Sequence, residues 1–150
     1  MRFASIVLAA TLLWTAPARA DAGNGFGLGL ILGQPTGITG ALGLSDHTMI
    51  DAALGLGWIG DKSFYLHVEF DYFLPTLVRG SSVDLSAYVG IGGFVADHKD
   101  PGVGARAPFG LSLDFANAPV QIFGEASLLL LLVPKVDPDI RGAIGFRYWF

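Results

Sequence analysis

The nine residues FYLHVEFDY, Phe64 to Tyr72, alternate without a slip: Phe64, Leu66, Val68, Phe70 and Tyr72 on one side, Tyr65, His67, Glu69 and Asp71 on the other. Successive side chains of a β-strand point to opposite faces, so a strict period of two specifies a strand with one apolar and one polar face. The same pattern recurs along the chain between turn residues. It predicts eight strands, at Gly25 to Leu32, Ile38 to Ser45, Met49 to Trp58, Ser63 to Tyr72, Val83 to Val95, Ala105 to Phe115, Val120 to Val133 and Ile140 to Phe150. The connections GQPTG, SDHT, IGDK, FLPTLVRGSS, ADHKDPGVG, ANAP and PKVDPD hold the Gly, Pro, Asn and Asp that tight turns need. Consecutive hairpins of this kind predict an all-β fold, an eight-stranded antiparallel up-and-down barrel, because closure removes exposed sheet edges.

Two barrels fit such strands. In a soluble, lipocalin-like barrel the apolar face lines a ligand cavity; in a transmembrane barrel it meets lipid and the polar face turns inward. One frame carries Phe26, Leu28, Leu30, Leu32, Ile38, Leu42, Leu44, Ile50, Leu54, Leu56 and Trp58, and later Val83, Leu85, Val89, Ile91, Phe109, Leu111, Leu113, Phe115, Ile140, Ile144, Phe146, Tyr148 and Phe150. The other frame holds Gly25, Gly27, Gly29, Thr39, Gly43, Ser86, Tyr88, Gly90, Gly92, Gly110, Ser112, Gly145 and Trp149 with isolated charges. Small residues beside single large aromatics suit a narrow interior, not a solvated surface. Only 15% of the residues are charged against 52% hydrophobic, and soluble domains run near 25% charged, so too few charges exist to solvate an outer wall. All three lysines, Lys62, Lys99 and Lys135, fall in predicted turns. A ten-residue strand of about 33 Å, tilted by about 40°, spans roughly 25 Å, the height of an outer-membrane apolar band. The transmembrane reading is therefore favoured over the lipocalin-like one.

The first twenty residues agree with export. Arg2, an apolar run from Ile6 to Ala16 and an A-x-A site at Ala18 and Ala20 have the order of a cleavable signal peptide, which makes residues 21–150 the barrel. The chain has no cysteine, so neither a lipoprotein anchor nor a disulfide framework is expected. After cleavage, seven basic residues face thirteen acidic ones, a net charge of −6. The basic residues are scattered, and no stripe tracks a phosphate backbone, so nucleic acid is not an expected partner.

The segment GAIGFRYWF, with Gly145, Tyr148 and Phe150, resembles the last strand of the small eight-stranded outer-membrane proteins of the OmpA transmembrane-domain and OmpX type. Ala143 departs from that pattern, which usually has a polar residue there. The resemblance implies a barrel over residues 21–150, a bacterial outer-membrane location, and reading of Gly145, Tyr148 and Phe150 by the barrel assembly machinery. The stretch LGLILGQPTGITGALGLSD is similar to the start of small bacterial barrels with a G-x-P-T-G turn, a group that brings no activity with it. Tyr148, Trp149 and Phe150 are expected at the periplasmic interface as part of an aromatic girdle.

With the first strand entering from the periplasm, the inward set includes Glu69, Asp71, Asp84, Asp114 and Glu125 against Arg106, Arg141 and Arg147. Unpaired charges in a narrow interior carry a large desolvation cost, so an ion-pair network is expected, with Arg147 and Glu125 in reach of each other. EASLLLLLV, residues 125–133, breaks the alternation and turns Leu129 and Leu131 inward near the outer rim, as an apolar lid, as a strand projecting beyond the membrane, or as a pocket for a lipid chain. Catalysis is not expected. None of His47, His67 and His98 is followed two residues later by a serine, no G-x-S-x-G occurs, and GFGLGLILG lies within a strand with no helix to meet a phosphate. Asp97, His98 and Asp100 read as a solvated loop, not a metal site, and no cofactor is expected. The overall expectation is a monomeric barrel in contact with outer-membrane lipid and lipopolysaccharide, with a structural or surface-contact role. A narrow ion or solute channel and a lipid-modifying enzyme are the competing classes.

Overall fold

The computed structural model of the protein describes residues 24–57, 63–97 and 101–150. The proposed signal peptide with Ala18 and Ala20, and Trp58, Lys62, His98, Lys99 and Asp100, lie outside the described residues. Among the described residues nine strands form one sheet: β1 (Phe26–Gly33), β2 (Thr36–Ser45), β3 (Thr48–Gly57), β4 (Ser63–Phe73), β5 (Val78–Arg79), β6 (Val83–Asp97), β7 (Gly102–Phe115), β8 (Val120–Val133) and β9 (Asp137–Trp149). Every pairing is antiparallel between chain neighbours, except that β9 returns to β1 and β4 pairs with β6 across the short β5. These two pairings close the sheet into an all-β, eight-stranded antiparallel up-and-down barrel. β5 is the addition to the expected strands: Val78 and Arg79 of the FLPTLVRGSS connection fold back on Leu85 and Asp84. Hairpin geometry follows the turn residues, as where the Thr36 hydroxyl bonds both the amide and the carbonyl of Gly33 at 3.0 Å across the β1–β2 turn.

The alternation is resolved in favour of an apolar exterior. Leu30 is 61% exposed, Ile91 69% and Ile144 62%, with Phe26, Leu28, Ile50, Val68, Phe70, Phe109, Leu111, Leu128, Phe146 and Phe150 also on the outer wall. Asp51, His67, Glu69, Asp71, Arg106, Glu125 and Arg147 are buried inside. The lipocalin-like arrangement, with apolar side chains around an internal cavity, is thus inverted here. Packing room inside comes from glycine opposite aromatic. An added methyl on Gly110 would overlap the Tyr88 ring, and one on Gly145 the Phe123 ring, so both aromatics lie against bare backbone of the next strand.

The interior is layered. Toward the end that carries Phe26 and Phe150, Trp149, Phe73, Tyr88 and Met49 pack together; at the opposite end Tyr65, Phe94 and Leu129 form a second cluster, with Leu131 and Ala96 against it. Tyr65 stacks on Phe94 at 5.4 Å between ring centroids. Trp149 corrects the expected girdle: it is 2% exposed, inside the barrel, while Tyr148 and Phe150 face outward with their rings 4.9 Å apart. Neighbouring residues of a strand cannot share a face, so three consecutive aromatics never form one belt.

Candidate functional site in the barrel interior

Between the two aromatic layers, two arginines tie several strands together. Arg106, on β7, donates from Nε to Glu69 Oε2 on β4 at 2.7 Å and from its Nη2 to Glu125 Oε1 on β8. Tyr88 on β6 donates its hydroxyl to the other oxygen of Glu125 at 2.9 Å. Arg147, on β9, pairs through Nη2 with Asp51 of β3 and also donates from Nη2 to Thr39 Oγ1 of β2 at 2.9 Å. Its Nη1 donates to Gln121 Oε1 of β8 at 3.3 Å, and its guanidinium carbon lies 4.0 Å from the centroid of the Phe123 ring. Arginine suits both positions because a planar fork of donors can serve several acceptors at once.

These contacts place the residues expected inside and correct three expectations. Glu69, Asp71, Arg106, Glu125 and Arg147 are buried. Arg147 does not meet Glu125. Arg106 reaches Glu125 on the neighbouring strand β8 and Glu69 on the non-adjacent β4, and Arg147 reaches Asp51 on the non-adjacent β3, because strand tilt brings side chains from separate strands to one level. Asp84 does not join the network; it lies 4.0 Å from the exposed Arg79 at the end of the barrel, where β5 folds back. Arg141 does not join it either. It sits at the opposite mouth, bound to Asp139 at 2.8 Å, because the wall there rises past the buried layer. Asp114 is connected indirectly, accepting from Ser112 at 3.0 Å and from Gln121 at 2.9 Å, and Gln121 in turn accepts from Arg147.

Asp51 was not among the expected charges, although its signal was present. In TMIDAALGLG the residues Met49, Asp51, Ala53 and Gly55 alternate against Ile50, Leu54 and Leu56, which assigns Asp51 to the interior. The register then sets Asp51 opposite Glu69, and Ala53 opposite His67.

At the mouth where β8 and β9 turn, a recess of about 510 Å³ is floored by Phe94 and Leu129 and edged by Leu131, Ser63, Asp139 and Arg141. Leu129 is buried against Tyr65 and Phe94, and Arg141 lies 5.5 Å from the centroid of the Tyr65 ring. Leu129 is thus the apolar floor of an open vestibule and separates it from the charged layer.

The chain is similar in structure to the N-terminal beta-barrel domain of Pseudomonas aeruginosa OprF, with a TM-score of 0.62 and 12% identity, covering 85% of this chain and 98% of that one. At that identity the likeness is one of fold, and it agrees with the expected resemblance to small outer-membrane barrels. No protein-family model matches the chain, and no curated protein does.

Proposed function

We propose that the protein is a closed outer-membrane β-barrel with a structural or surface-contact role. The observation that carries this reading is its inverted polarity: a belt of exposed aliphatic and aromatic side chains surrounds an interior of buried, cross-braced charges. Soluble monomers rarely expose contiguous apolar patches beyond a few hundred Å², whereas a bilayer rewards such a belt on every strand. A conducting pore needs water along its axis. Here Arg106, Arg147 and His67 are 1% exposed, Asp71 is 0%, and aromatic layers lie on either side of them. The interior acts as a brace and not as a passage. The contacts in this reading are outer-membrane lipid and lipopolysaccharide, with the barrel assembly machinery meeting Gly145, Tyr148 and Phe150 during biogenesis, and the folded unit is a monomer. Export through the periplasm by cleavage after Ala20 belongs to the same proposal.

The test is gel mobility of the protein from an outer-membrane fraction, with and without boiling in detergent. A heat-dependent shift is expected, since a closed hydrogen-bonded barrel resists detergent until heated. Recovery in the soluble periplasm with no shift would overturn the reading. Planar-bilayer recordings are expected to show no discrete conductance steps, and unaltered lipid A mass on expression is expected of a barrel with no lipid-modifying activity.

A further inference from the structure

Among the described residues four carboxylates, Asp51, Glu69, Asp71 and Glu125, are buried in the interior, and two buried arginines, Arg106 and Arg147, accompany them. Fully ionised, this set is two positive charges short, and an uncompensated buried charge is expensive. Two of the four carboxylates also face one imidazole. Arg147 engages Asp51 through Oδ2, and Arg106 engages Glu69 through Oε2. The remaining oxygens turn to the same atom: His67 Nε2 lies 3.7 Å from Asp51 Oδ1 and 3.8 Å from Glu69 Oε1. Both separations exceed hydrogen-bond length. Among the described residues Glu69 Oε1 has no hydrogen-bond partner although its side chain is wholly buried, and neither oxygen of Asp71 has one.

The backbone prepares this arrangement. His67 and Glu69 are two apart on β4 and share its inner face, while Asp51 on β3 is directly opposite Glu69 in register. Ala53, opposite His67, leaves the imidazole room to turn toward both carboxylates. The three donor atoms all lie within 4.8 Å of one another. Bonds of about 2.0–2.2 Å from a central ion to imidazole nitrogen and carboxylate oxygen fit such a triangle after a modest contraction.

We propose that Asp51 Oδ1, His67 Nε2 and Glu69 Oε1 form a binding site for one divalent first-row transition ion, such as Zn²⁺. Calcium and magnesium favour oxygen-only shells, so the imidazole selects against them. The ion's two charges match the shortfall. The arginines hold the far oxygens of both carboxylates, which orients the near oxygens toward the ion in the way outer partners of metal ligands commonly do. The site lies inside the barrel wall, so it braces β3 against β4 instead of presenting metal to a substrate.

The experiment is refolding of the full chain into detergent with excess ZnCl₂ or with EDTA, followed by removal of free ion and elemental analysis of the heat-modifiable barrel. The ion is supplied during refolding because the aromatic layers close the interior. About one zinc per barrel is expected, with a higher thermal midpoint than the EDTA-refolded protein. H67Q is expected to lose the zinc and the shift together, whereas H47Q, altered at an exposed turn, keeps both. Should H67Q fail to fold, X-ray absorption at the zinc edge of the native protein decides the matter: one imidazole and oxygen ligands are expected. No stoichiometric zinc in the native barrel, zinc retained by H67Q, or an edge spectrum without imidazole each overturns the site.

Discussion

Arg106 offers the sharpest test of the interior brace, because one guanidinium serves two buried carboxylates. Replacing it with methionine keeps most of the stem's volume and deletes the charge, leaving Glu69 and Glu125 without their shared partner. Removing one member of a buried pair costs about 3–5 kcal/mol, and with two anions stranded the loss for Arg106→Met belongs at the upper end, about 5 kcal/mol. Glu125→Gln is different in kind. Arg106 keeps Glu69, but the amide offers one oxygen where the carboxylate offered two, so the hydrogen bond from Arg106 or that from Tyr88 loses its acceptor, a cost of about 1–3 kcal/mol. The triple variant Arg106→Met, Glu69→Gln, Glu125→Gln removes the stranded charges and is expected to recover much of the loss. Urea unfolding of the lipid-reconstituted barrel, followed by tryptophan fluorescence, gives all three values. Arg106→Met matching the parent protein, or proving milder than Glu125→Gln, would refute the claim that this arginine neutralises both carboxylates.

Further outcomes can be read on the same assay. Thr39→Val removes the hydroxyl that accepts from Nε and Nη2 of Arg147 and should cost about 1.5–3 kcal/mol; no change would show that Asp51 and Gln121 suffice. Gly110→Ala forces Tyr88 off its seat on the neighbouring strand and is expected to destabilise by about 1–3 kcal/mol, with a neutral result counting against the close approach. Leu30→Arg puts a charge on the outer wall of β1, where lipid contact predicts a loss of about 2–4 kcal/mol; a gain in solubility without loss of stability would mean that this face meets water.

The strands were legible in the sequence because alternation is a local property: FYLHVEFDY declares its two faces without reference to any other segment, and the composition decides which face turns outward. The inward identity of Glu69, Asp71, Arg106, Glu125 and Arg147 could be read for the same reason, and Asp51 was equally readable from the small residues beside it. Their partners could not. Whether Arg147 meets Glu125 or Asp51 depends on strand tilt and stagger around the closed barrel, which add up over every pairing from β1 to β9 and leave no mark in any one strand. Trp149 and Leu129 show the same division. Parity sends both inward, but only closure of the sheet sets Trp149 beside Phe73 and Met49, and Leu129 beneath the open mouth with Tyr65 and Phe94. Asp51, His67 and Glu69 converge only because β3 and β4 pair in one register, and a slip of one residue would turn one strand's inward set to the outer wall.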